Sequence, residues 1–191
     1  DLARRALEAG KHALVEKPLT PSTAQAEELA ALAARRQRVL MVDHTFVYTG
    51  AVQKIKELTS SGGLGQLYYY DSARVNLGLF QHDVSVIWDL AVHDLAILDH
   101  ILDLAPVAIS ASGTGHFSGR PENMAHLTVF YPRGVVAQIN VNWLAPVKVR
   151  QTLIGDPAQR RRRMLLQVGT WALAGGLDAW RKAYGQVVAN A

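Results

Sequence analysis

In the stretch VIWDLAVHDLAIL, residues 86–98, an apolar run with helical spacing is interrupted by Asp89 and His93, four residues apart. On a helix that spacing puts both side chains on one face, with Cβ atoms about 6 Å apart, so both can reach one substrate atom. Histidine changes charge near neutral pH, and a neighbouring carboxylate fixes its tautomer and favours the imidazolium. Together they would make a general base and its support. The same face continues through Ala96 to His100, so a polar stripe where a helix meets solvent is the commoner explanation from spacing alone. Two ligands without a third do not make a metal site, and no metal is expected.

A second candidate is VEKP, residues 15–18, at the end of a short apolar run. If that run is a parallel strand, its carboxyl end is where open α/β sheets bind ligands. Lys17 would present an ammonium there, able to stabilise a developing alkoxide, and Pro18 makes a cis Lys17–Pro18 bond possible. An ordinary Lys-Pro in a loop explains the tetrapeptide as well. The segment VAISASGTGHFSG, residues 107–119, is no dinucleotide fingerprint: its last glycine falls one place late, and Arg120, Pro121 and a strand follow instead of a helix. GGLG at residues 62–65 reads as a helix stop.

The elements that must position these residues follow from periodicity. Residues 2–9 read as a helix closing on Gly10, and 13–15 as a strand; Thr20 or Ser22 can cap a helix over 24–36 with Pro21 in its first turn, and a buried strand follows over 39–42. This strand, helix, strand rhythm is that of a parallel α/β layer. A further helix over 51–58 ends at SSGGLG. Thereafter the texture is of alternating strands, over 67–75, 107–113, 125–131 and 135–142, around one long helix over 84–104, with YPRG as a hairpin turn. The tail beyond Gly155 loses this alternation; a helix over 177–188 is its one recognisable element.

The chain of 191 residues is 49% hydrophobic and has no cysteine, which excludes disulfides and thiolate chemistry and fits a reducing compartment. No uninterrupted apolar run is long enough for a membrane span, and no leader pattern is seen, so the expectation is a cytoplasmic protein without a membrane partner. Net charge is +4, which the cluster Arg160 to Arg163 alone supplies. Basic residues are not spread along a face with stacking aromatics, so nucleic acid is not the expected partner. A sequence that opens on Asp1 in mid-helix reads as cut at its start.

Taken in order, AGKHALVEKPLT, VLMVDHTFVYTGAVQKIKEL, GLGQLYYYDSARVNLG, VSVIWDLAVHDLAIL and VNWLAPVKVRQTLIG resemble the Gfo/Idh/MocA family, which groups glucose-fructose oxidoreductase, inositol dehydrogenase and MocA-like enzymes. The resemblance covers about residues 1–155. It implies an α/β chain in which residues 1–60 are the C-terminal remnant of a Rossmann dinucleotide-binding domain. Residues 61–155 would form an α+β domain with an open, mostly antiparallel sheet for substrate and oligomerisation. Residues 156–191 would be a tail of uncertain structure, divergent or read in a shifted frame.

The implied reaction is hydride transfer between the nicotinamide of NAD or NADP and a carbon bearing a secondary hydroxyl of a sugar, nucleotide-sugar or cyclitol. By the same resemblance Lys17, Asp89 and His93 are catalytic: His93 moves the hydroxyl proton, Asp89 holds substrate and orients the site, and Lys17 sits beside nicotinamide and substrate. Glu16, Lys17, Pro18 and His44 would meet the cofactor, and Arg74, Asn76, Tyr48, Trp143 and Lys148 the substrate, although Trp143 and Lys148 could equally close the sheet. A homo-oligomer through the C-terminal sheet is implied as well. The early strand and glycine-rich turn that hold the dinucleotide are not in this sequence, so the alternative is a non-catalytic domain for ligand binding or dimerisation.

Overall fold

The computed structural model describes residues 1–77, 81, 83–155 and, for the backbone alone, 164–167. They fall into two units, divided between Phe46 and Val47.

In the first unit α1 (Leu2–Glu8) leads into β1 (Ala13–Glu16), α2 (Thr23–Arg35) and β2 (Leu40–Asp43). The strands pair in parallel from Ala13 opposite Leu40 to Glu16 opposite Asp43, so β1, α2 and β2 are one βαβ crossover. Gly10 ends α1 at φ +73°, a conformation that costs glycine nothing. Ser22 caps α2, its Oγ accepting from the Gln25 backbone N–H at 3.4 Å. Pro21 therefore precedes the cap instead of lying in the first helical turn. The helices meet through Leu7, Leu29, Leu32 and Ala33, against which Ala3, Ala13, Leu19 and Leu40 pack. On the other face of the two strands the cross-strand partners Leu14 and Met41 are exposed.

The second unit begins with α3 (Gly50–Ser60), expected from sequence to close the first domain. It packs instead on α4 (Val92–Leu102), with Val52 and Ile55 buried and Gln53 Nε2 3.3 Å from His100 Nε2. The contact division between Phe46 and Val47 thus lies before α3, and the boundary expected from sequence near residue 60 lies after it.

A six-stranded sheet follows, in the order β4 (Ala108–Thr114), β5 (Met124–Phe130), β6 (Val136–Asn142), β3 (Tyr69–Val75), β7 (Val149–Gly155) and β8 (Met164–Gln167). The β3–β6 pair is parallel, and the other pairs are antiparallel. The β5–β6 hairpin turns through Arg133 and Gly134, both at positive φ, as the YPRG stretch suggests. Two strands go beyond the sequence reading: β7, whose alternation in VRQTLIG is short, and β8, which lies in the tail. The expected helix over 177–188 and the Arg160–Arg163 cluster lie outside the described residues.

Strand alternation puts Tyr70, Ser72 and Arg74, then Ala125, Leu127 and Val129, then Ala137, Ile139 and Val141, on the face covered by helix, and all are buried. Each buried aliphatic side chain in this layer contributes about 1.5–3 kcal/mol relative to an exposed one. The long helix expected over 84–104 is two pieces: a π-helical turn over Ile87–Ala91, then α4. The helix ends at Asp103 in the left-handed conformation, three residues before Pro106.

Candidate functional site

In the first unit the candidates collect at one end of the parallel pair. Register sets Glu16 opposite Asp43, and the chain leaves these two strands through Lys17–Pro18 and His44 respectively. The Lys17–Pro18 peptide is cis. Glu16 is exposed, while Lys17, Pro18 and His44 are half-buried. The His44 backbone N–H donates to the Val42 carbonyl at 2.9 Å, a tight turn immediately after β2. Its ring Nδ1 is buried, and among the described residues no hydrogen-bond partner meets it. An ammonium, an imidazole with an unanswered polar atom and strand carboxyl ends suit the nicotinamide end of a dinucleotide.

In the second unit Asp89 and His93 straddle the junction between the π turn and α4, and both are half-buried. Asp89 is held from the sheet side: Trp143 donates its indole Nε1–H to Asp89 Oδ2 at 3.2 Å. Trp143 is itself fixed. It is only 2% exposed, and its backbone N–H donates to the Asn123 carbonyl at 2.9 Å. The turn after it is locked by Asn142 Oδ1, which accepts from the Leu144 and Ala145 backbone N–H groups at 2.9 and 2.8 Å. Trp143, expected either to contact substrate or to close the sheet, is buried with its indole nitrogen on Asp89. The charge-assisted bond keeps that carboxylate oxygen pointed toward the sheet.

Beside this pair lies a buried polar cluster that sequence reasoning did not single out. Asp94, 1% exposed, accepts from Tyr70 Oη at 3.0 Å and from Arg74 Nε at 2.8 Å. Arg74 was expected to line the substrate crevice; its guanidinium is buried and engaged with Asp94. The burial of Tyr70 pushes its phenol well above the ordinary range, helped by the Asp94 charge, against a hydrogen bond from Thr152. Arg150, the β7 residue opposite Arg74, has its guanidinium pKa lowered by burial and then by the Arg74 charge, with Asp94 and Asp89 opposing. A signal for this cluster was in the sequence: Tyr70, Ser72 and Arg74 alternate on one face of a strand, and Asp94 directly follows His93.

The remaining candidates are more peripheral. Asn76 is half-buried just past β3, its backbone N–H donating to the Asn142 carbonyl at 3.1 Å, close to the turn that carries Trp143. Lys148 is exposed, and Tyr48 is 64% exposed. Among the described residues no group of three or more His, Cys, Asp or Glu is placed to hold a metal ion.

Comparison with known proteins agrees with this architecture. Residues 1–44 match a family described as an oxidoreductase family with an NAD-binding Rossmann fold, and residues 52–159 match the GFO/IDH/MocA C-terminal domain. The chain is 35% identical over 152 residues to the uncharacterized oxidoreductase YdgJ of Escherichia coli, an alignment covering 69% of this chain and 41% of that protein. It is 29% identical over 164 residues to the UDP-N-acetylglucosamine 3-dehydrogenase of Acidithiobacillus ferrooxidans, covering 84% of this chain and 47% of the relative. Among solved structures, GenD2 from gentamicin A biosynthesis, in complex with NAD, has the same fold, with a TM-score of 0.79 at 23% identity over 87% of this chain and 50% of that one. The chain thus spans about half the length of the curated relatives it matches. With both of its units matched in order, the chain belongs to the Gfo/Idh/MocA oxidoreductase family.

Proposed function

We propose that this chain is part of an NAD(P)-dependent oxidoreductase that moves a hydride between a nicotinamide and a carbon bearing a secondary hydroxyl, on a sugar, nucleotide-sugar or cyclitol. The observation that carries the reading is the Asp89–His93 pair, with Asp89 oriented by a buried tryptophan. When bound, the nicotinamide ring supplies or takes the hydride at C4. As the alcohol is oxidised, His93 takes the hydroxyl proton; in the reverse direction it returns it. A base within hydrogen-bond reach is what the step needs, because hydride leaves the carbon only as the O–H proton departs. Asp89 hydrogen-bonds the substrate and steadies the imidazolium. Lys17 stabilises the developing alkoxide, and Glu16, Pro18 and His44 hold the nicotinamide end of the cofactor.

Nucleotide-sugars are favoured within the substrate class, because relatives carry the names UDP-N-acetylglucosamine 3-dehydrogenase and dTDP-3,4-didehydro-2,6-dideoxy-alpha-D-glucose 3-reductase. The reading includes a cytoplasmic homo-oligomer formed through the outer face of the sheet. That face carries Tyr69 and Phe130 in one row across β3, β6 and β5, both partly exposed. Among the described residues no helix is long and apolar enough to cross a membrane.

The test is a cofactor assay on the full-length protein, following absorbance of the reduced nicotinamide with NAD and NADP against UDP-sugars, dTDP-sugars, free sugars and cyclitols. Turnover with at least one of them, at kcat/KM well above background, is expected. No turnover across the panel, with cofactor binding demonstrated, would reject the reading in favour of a ligand-binding or dimerisation module.

A further inference from the structure

We propose that Tyr70 and Asp94 are positioning residues for His93, a role that rests on reading His93 as the base. Asp94 follows His93 in α4, so the two side chains leave the helix roughly 100° apart. One turns into the sheet while the other stays half-buried. The Asp94 carboxylate is gripped at both oxygens from a single strand. Tyr70 Oη donates to Oδ1 at 3.0 Å, Arg74 Nε donates to Oδ2 at 2.8 Å, and Arg74 Nη2 donates to Oδ1 at 3.5 Å.

Tyr70 and Arg74 are four residues apart on β3, an interior strand paired along its whole length with β6 and β7. The grip therefore opposes both rolling and sliding of α4 against the sheet. An apolar contact would resist neither as sharply, because it has no preferred direction.

The helix needs such a device at this point. Asp89 lies in a π turn and His93 in the α-helix after it, and a π turn is wider and seldom sustained, so it fixes the following residues less firmly. Trp143 pins the chain before the junction, at Asp89, and the Tyr70–Arg74 grip pins it just after, at Asp94. His93 lies between the two pins. Stability alone does not account for the grip, since a buried ion pair is often no better than an apolar pair of the same size.

Tyr70→Phe tests this, because it keeps the ring and the ion pair and removes only the hydroxyl, with its bonds to Asp94 and Thr152. In the full-length protein kcat should fall about tenfold or more, with KM for cofactor and sugar within about twofold, because only the base is misplaced. In a His93→Ala background the same change should cost less than about twofold, since the residue it acts through is gone. A readout independent of turnover is the imidazole ¹H–¹⁵N spectrum. The His93 signal, identified by its loss in His93→Gln, should shift and broaden in Tyr70→Phe and in Asp94→Asn, while that of His126 on the outer sheet face stays put. An unmoved His93 signal, or an equal kcat loss with and without His93, would overturn the proposal. So would a fall in melting temperature with kcat unchanged. If the wild type turns over no sugar at all, the functional reading fails by itself, and the His93 signal still decides whether the grip exists.

Discussion

The indole nitrogen of Trp143 and the Oδ2 of Asp89 are 3.2 Å apart, although 54 residues separate them in the chain. That bond ties the helix-borne carboxylate to the end of the sheet and makes the first prediction. Trp143→Phe keeps most of the buried ring and deletes the donor. It should lower stability by about 1–3 kcal/mol, the range for losing a hydrogen bond to a charged group and part of a packed side chain. It should also lower kcat about tenfold with cofactor affinity unchanged. Urea unfolding and steady-state kinetics read the two effects separately; an unchanged kcat would detach Trp143 from the site.

The Arg74–Asp94 pair makes a stability prediction with a sign that depends on context. Both groups are buried, at 6% and 1% exposure. Asp94→Ala removes the carboxylate that faces the buried Arg74 charge and should cost about 3–5 kcal/mol, whereas replacing both, as Arg74→Met with Asp94→Leu, should cost less than that single change. A double-mutant cycle on urea midpoints measures the coupling. Simple additivity of the two single losses would show that the pair does not act as a unit.

Alkaline pH should weaken the fold through Tyr70. Its phenol is held well above 10.0 by burial and then by the Asp94 charge. An unfolded tyrosine ionises near 10 while the folded one keeps its proton, so the contribution is whole below about pH 10 and falls as pH rises beyond it. Tyr131, raised by burial and the Asp99 charge, acts in the same direction. Arg150 acts in the opposite one: its folded pKa is lowered by burial and the Arg74 charge, a cost relieved only at still higher pH. Urea midpoints measured from about pH 9 to about pH 11 should therefore decline in the wild type, and less steeply in Tyr70→Phe, which has one raised phenol fewer. Parallel declines would mean that Tyr70 is not the group responsible.

The outer face of the sheet gives a prediction about assembly. Phe130 and Tyr69 flank Val136 in one row and are 39% and 36% exposed. If copies associate there, Phe130→Glu should shift the protein to monomer by light scattering, since an unpaired charge in an apolar interface is costly. An oligomer that survives this change, with the sheet intact by circular dichroism, would place the contact elsewhere.

Local physics made much of this legible in advance. Ser22 and Gly10 mark helix ends by their own chemistry, and the alternation of AHLTVF and VAQINVN shows β5 and β6 without any tertiary knowledge. Asp89 and His93 stand out because charge is rare in an apolar helical run. What held Asp89 was not legible, since the position of Trp143 depends on sheet pairing across many residues. The π turn was hidden too, because 3.6 and 4.4 residues per turn differ by less than one position over so short a stretch. The buried grip on Asp94 was overlooked for a related reason: a second carboxylate beside His93 reads as solvent-facing unless the polar alternation of Tyr70, Ser72 and Arg74 is matched to it. Nor could the amphipathic pattern of α3 say which unit it would join.

The most direct test of the account is the rate of hydride transfer in His93→Ala, measured in single turnovers of the full-length protein with saturating sugar and cofactor. The account predicts a loss of about 10²–10⁴-fold, the usual worth of a positioned general base, with cofactor binding intact. Hydride transfer at the wild-type rate would contradict it and remove His93 from the chemistry.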